Sequence, residues 1–166
     1  MGFFSILLVL TVFIISLYPA ICYVSYRIVR KFDNATTFLE NLIPIWNIYL
    51  IYRVAFGKPY AVYYFWICFF ISILLNEVMK NYSHDSIIMF ASNIIAALIY
   101  ATPMALIAQK LGKNMWVYFL LLIVPPLIDK GLAFIVTVII QLILAFDGSK
   151  PTLPTDDETT NNLYIN

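Results

Sequence analysis

The chain has 166 residues, 63% of them hydrophobic and only 11% charged, with a mean hydropathy of +0.89, whereas an ordinary soluble domain is about 25% charged. A polytopic membrane protein is the class that fits. A formal net charge of +1 without any basic stripe excludes nucleic-acid binding.

In chain order, 3–26 is the first predicted element. It has the roughly 20 apolar residues that a spanning helix needs and runs into Arg27, Arg30 and Lys31, a basic cluster that marks a cytoplasmic end. Its apolar run exceeds the about 7 to 15 residues of a signal-peptide core, and no basic segment precedes it. It is expected as a retained transmembrane helix. The start MGFFSI lacks the Ser or Thr that myristoylation requires at the sixth position.

Next comes 38–56, apolar and aromatic but interrupted by Pro44 and carrying Asn41, Asn47 and Arg53. Trp46, Tyr49 and Tyr52 favour headgroup depth, so this segment is expected to lie in the interface, with a re-entrant course as the alternative. Spans follow at 60–79 and 86–108, preceded by Lys58 and followed by Lys110 and Lys113. With Arg27, Arg30, Lys31, Lys58, Lys110 and Lys113 all inside, the N-terminus is outside and only Lys80 falls in the outer loop. The clustered Tyr60, Tyr63, Tyr64, Phe65 and Trp66 are expected as an aromatic belt.

The apolar stretch from Met115 to Phe146 is too long for one straight helix and contains 125-PPLIDKG-131. Either the prolines kink one tilted helix, or two short helices, 115–128 and 131–146, turn at Asp129-Lys130-Gly131. The second is preferred because charges are costly at the bilayer centre and Asp, Lys and Gly form turns. From 147 to 166 the chain is polar, acidic and proline-punctuated, and is expected as a disordered tail. The fold class expected is therefore an all-α transmembrane bundle of four or five spans with an interfacial or re-entrant segment.

Two blocks resemble a large bacterial and archaeal family of small multi-pass membrane proteins of unknown function. One is 42-LIPIWNIYLIYRVAFGKP-59; the other is 107-IAQKLGKNMWVYFLLLIVPP-126 with 143-ILAFDGSK-150. The resemblance implies a bacterial inner-membrane location. Asp33-Asn34, where that family is often glycine-rich, and the segment from Asp129 to Ile143 depart from its pattern. Some members carry a signal-peptidase label, but here Ser83 and Ser86 beside Lys80 form only a local cluster on loops too short to hold a substrate.

Other chemistry is sparse. Cys22 and Cys68 lie in apolar runs without metal or redox spacing, and His84 is the single histidine, so neither metal nor cofactor is expected. The sequence has no G-x-S-x-G and no H-E-x-x-H, and a non-enzymatic role is favoured. Asn34-Ala35-Thr36 and Asn81-Tyr82-Ser83 match the glycosylation sequon by chance, given their placement. The candidate binding residues are Glu77, Lys80, Asn93, Asp129 and Lys130. Glu77 and Lys80 are three apart and can pair on a helix, whereas polar or ionisable groups within spans serve either as helix-to-helix glue or as a solute path. Function is expected through intramembrane contact, with another membrane protein or a second copy as partner. An accessory subunit and an immunity-type protein against a membrane-active toxin both fit, and a small channel or transporter is the alternative.

Overall fold

The computed structural model describes residues 3–81 and 86–152. Among these the chain is all-helical, with no strand. The helices are α1 (Phe3–Arg30), α2 (Phe38–Asn41), α3 (Pro44–Phe56), α4 (Lys58–Asn81), α5 (Ser86–Lys110), α6 (Met115–Ile128) and α7 (Lys130–Phe146). By length and composition α4 and α5 are long and apolar enough to cross a membrane; at 1.5 Å per residue they measure about 36–38 Å, against about 30 Å of hydrocarbon core. The apolar α6 and α7 are shorter, about 21 and 26 Å on the same rise.

Local chemistry sets the boundaries. Gly57, at φ 83° and ψ 158°, separates α3 from α4, a conformation that only glycine adopts without strain. At the end of α5, Gly112 has φ 74°. Its N–H donates to the Gln109 carbonyl and that of Lys113 to the Ala108 carbonyl, both at 2.9 Å, which is a Schellman closure. Asn114 then caps α6 by accepting from the N–H groups of Trp116 and Val117. Pro125 and Pro126 lie inside α6. The helix runs on to Ile128 and stops at Asp129, whose backbone is extended and whose side chain accepts from the Leu132 N–H at 2.9 Å to cap α7.

The long helices form an incomplete ring, α1 packing on α7, α7 on α6, α6 on α5 and α5 on α4. One face of α5 carries Ala97, Ala101, Ala105 and Ala108, all buried, and this small-residue stripe allows close helix approach. The gap between α1 and α4 is entered by α3, which packs on α1, α4 and α5.

One end of the bundle is tied by charge. Lys31 Nζ donates to the carbonyls of Leu144 and Asp147 and to Asp147 Oδ1, each at 2.7 Å. Lys113 pairs with the second oxygen of the same carboxylate, and Arg53 pairs with Asp33. Because Lys113 precedes α6 and Asp147 follows α7, these two helices fold back as a hairpin with Asp129 at its far tip. Of the ten Lys and Arg residues, eight are carried at this end (Arg27, Arg30, Lys31, Arg53, Lys58, Lys110, Lys113 and Lys150), which leaves Lys80 and Lys130 at the other.

Two segments are held against the long helices. Residues 38–56 do not lie across the bundle end. The chain climbs from Asp33 past Phe38, whose ring lies 6.1 Å from that of Tyr23, to Leu42, whose carbonyl accepts from the Tyr18 hydroxyl at 2.8 Å. There it turns, and α3 descends again to the Arg53–Asp33 pair. Tyr18 precedes Arg30 by twelve positions, so the turn lies about 18 Å above the basic end. The preference for the interface came from the aromatic residues, yet Tyr52 is buried and its hydroxyl donates to the Ile99 carbonyl at 3.1 Å. Likewise, 147–152 belongs to the bundle: Asp147 is clasped, and the Thr152 N–H donates to the Lys110 carbonyl at 2.8 Å. The rest of the expected tail, 153–166, lies outside the described residues.

Candidate functional site

Where α3 leaves the gap between α1 and α4 unfilled, a cleft of about 530 Å³ opens. Its buried walls are Cys22 and Ser25 of α1, Ile51 and Tyr52 of α3, Phe65 of α4, and Pro103 and Met104 of α5. Its mouth is edged by the exposed Ile21, Ile45, Ile48, Phe69 and Ser72. Counting at 1.5 Å per residue from Arg30, Lys58 and Lys110, the lining sits about 7–21 Å above the basic end, at middle height on the side of the bundle.

Every described lining residue is uncharged, and the polar groups present are largely engaged with the protein itself. Tyr18 donates to Leu42 and Tyr52 to Ile99, while Gln141 Nε2 donates to the Tyr100 hydroxyl at 2.7 Å. Ser72 donates to the Cys68 carbonyl, and Asn47 Nδ2 to the Asn41 carbonyl at 2.9 Å. What remains facing the space is mostly hydrocarbon and aromatic surface, so the chemistry on offer is apolar contact. Aromatic edges stiffen the α3–α4 wall: Phe65 meets Tyr49 at 5.9 Å and Tyr52 at 6.1 Å, and Phe56 stacks on Tyr64 at 4.3 Å. Phe65 therefore turns inward from the expected belt, while Tyr60, Tyr63, Tyr64 and Trp66 stay exposed.

The residues singled out from the sequence are not brought together here. Glu77 and Lys80 pair at 2.9 Å, both about 60% exposed, near the end of α4 remote from the basic cluster. Asn93 is half-buried on α5, and Asp129 is exposed and used as a helix cap. Lys130 begins α7 beside that cap. Glu77, Lys80, Asn93 and Asp129 do not line the cleft. His84 and Asp85 lie outside the described residues. Among the described residues, no group of three or more His, Cys, Asp or Glu gathers in a way that could hold a metal ion.

The strongest electrostatic feature is the clasp at the basic end. Burial pushes the Asp147 carboxyl up, but hydrogen bonds from Lys113, Lys31 and Ser149 outweigh it and hold the group well below the ordinary carboxylate range. Lys113 is raised, chiefly by its bond to Asp147, with desolvation opposing. Lys31 also supplies positive charge to the last turn of α7, where free carbonyls and the helix dipole favour a cation.

The cleft residues were missed in the sequence because they are spread from Tyr18 to Gln141 and share no motif; the usable signal was Pro44 followed by Asn47 within an apolar segment too short to cross and return. Comparison with protein-family models, curated proteins and solved structures gave no match. The family resemblance of 42–59 and 107–126 therefore rests on those blocks alone.

Proposed function

We propose that this chain is a multi-pass membrane protein of the bacterial inner membrane that works by apolar contact inside the bilayer, through the α1–α4 seam and its cleft. Five spans (α1, α4, α5, α6 and α7) with α2–α3 as a re-entrant hairpin put the N-terminus outside and the basic end in the cytoplasm, in keeping with the positive-inside rule. The observation that carries the reading is the neutral, apolar cleft on the side of the bundle, which in the proposed arrangement faces the bilayer. The described lining holds no charged group to activate its Ser and Cys side chains, whereas a neighbouring membrane chain can lie along the rim formed by Ile21, Ile48 and Phe69. An accessory subunit of a membrane complex, or an immunity-type protein, would act in this way.

The experiment is extraction of tagged protein from native membranes followed by measurement of what stays bound. A stoichiometric membrane partner is expected, released by Ile48→Glu at the rim. It should be retained in Leu74→Ala, because Leu74 lies half a turn of α4 away from Phe65 and Phe69. A protein that comes out alone and unaffected by Ile48→Glu contradicts the reading.

A second reading, passage of a neutral solute, draws on one observation. The N-terminus of α3 lies at mid-height with no side-chain cap on its free N–H groups, and broken helices of this kind line solute sites in transporters. Flux of an uncharged solute in liposomes containing only this protein would favour it. Glu77→Gln and Asp129→Asn should leave that flux unchanged, since neither residue lines the cleft.

A further inference from the structure

We propose that the cleft between α1, α3, α4 and α5 is a binding site for one acyl chain of a bilayer phospholipid; this rests on the membrane arrangement proposed above and names the occupant of the same site. The choice of occupant follows from size, charge and the direction of access.

Size comes first. The cleft holds about 530 Å³, and its α4 wall, from Phe65 to Ser72, extends over about 10 Å at the helical rise, so a hydrocarbon chain can lie along it. The volume is also well within the roughly 300–1,000 Å³ of ordinary ligand sites.

Charge excludes other slender amphiphiles. No described lining residue is cationic, so the carboxylate of a free fatty acid would be held at mid-height without a counter-ion, at a large desolvation penalty. A phospholipid avoids this, because its headgroup stays at the membrane surface while only the chain tilts inward. The basic end lies below the cleft, at the level a headgroup would occupy.

Access is sideways. The mouth residues Ile21, Ile45, Ile48 and Phe69 are apolar and exposed, whereas Cys22 and Met104 on the inner wall are 0% and 2% exposed. A lipid that merely surrounds the protein touches Phe70 and Leu74 on the outer side of α4, but reaches Cys22 and Met104 only by entering.

The test uses the full chain reconstituted into phosphatidylglycerol–phosphatidylcholine vesicles containing a phospholipid with a photoreactive diazirine in its acyl chain. After illumination, adducts are located by peptide mass spectrometry. Adducts are expected on Cys22 and Met104 as well as on Phe70 and Leu74. The inner adducts should be lost in Ser72→Trp and in Ile21→Trp, both exposed mouth positions where a bulky ring is tolerated, while the outer adducts remain. Adducts confined to Phe70 and Leu74, or inner adducts that neither variant reduces, overturn the lipid site but leave the contact function standing. Absence of adducts everywhere, the outer face of α4 included, overturns the membrane arrangement and both proposals with it. A diazirine fatty acid that labels the inner wall more strongly than the phospholipid overturns the choice of phospholipid.

Discussion

Gly57 and Asp147 show how single residues hold this bundle in shape. Gly57 sits at φ 83° between the descending α3 and the rising α4, and a side chain there would force a strained backbone. Gly57→Ala is expected to destabilise the protein by about 1–3 kcal/mol, read as a lower thermal midpoint in detergent. Asp147 binds two lysines from separate loops at once. Since its folded pKa is depressed, its contribution is fully present above the unfolded-chain value of about 3.9 and is lost as pH falls through the folded value. The wild type should therefore lose stability on acidification below about pH 4, whereas Asp147→Asn should start about 1–3 kcal/mol lower at pH 7 and vary less over that range; equal acid profiles for the two proteins would refute the clasp. At this scale the sequence was partly legible. Basic residues beside loops announced one end of the bundle, but the partners of Lys31 and Lys113 lie more than thirty positions away, and no local pattern encodes such a pairing.

Among the elements, hydropathy made the long helices readable, because an apolar run of sufficient length has few other solutions. The hairpin of α6 and α7 was also legible from Asp129, Lys130 and Gly131. Pro125 and Pro126 stay inside α6, close enough to its C-terminus that the helix needs little beyond them. The segment 38–56 was harder still. Its composition suits both an interface and a re-entrant course, and the choice depends on Tyr18 and Ile99, residues of other helices that accommodate Leu42 and Tyr52. The alanine stripe of α5 supplies an element-level prediction. Ala101 is fully buried, and Ala101→Leu should push the neighbouring helices apart and destabilise by about 1–3 kcal/mol. Leu98→Ala, at an exposed position of the same helix, should leave the thermal midpoint nearly unchanged.

For the whole molecule, charge separation and the open seam decide the functional account. On the proposed arrangement the cytoplasmic end carries eight cations, and the opposite end only Lys80 and Lys130. The α6–α7 arms of about 21 and 26 Å are shorter than the about 30 Å hydrocarbon core, a mismatch that local thinning of the bilayer meets at fractions of a kcal/mol per Å. The cleft exists because α3 stops partway, so a central claim is that the start of α3 lies within hydrocarbon. The direct measurement places a spin label at Ile45→Cys in a Cys22→Ala, Cys68→Ala background in vesicles and compares its relaxation by oxygen with that by a water-soluble nickel chelate. Relaxation mainly by oxygen, as for a label at Phe70→Cys, is the predicted result; relaxation by the chelate to the extent seen at Lys58→Cys would contradict the account.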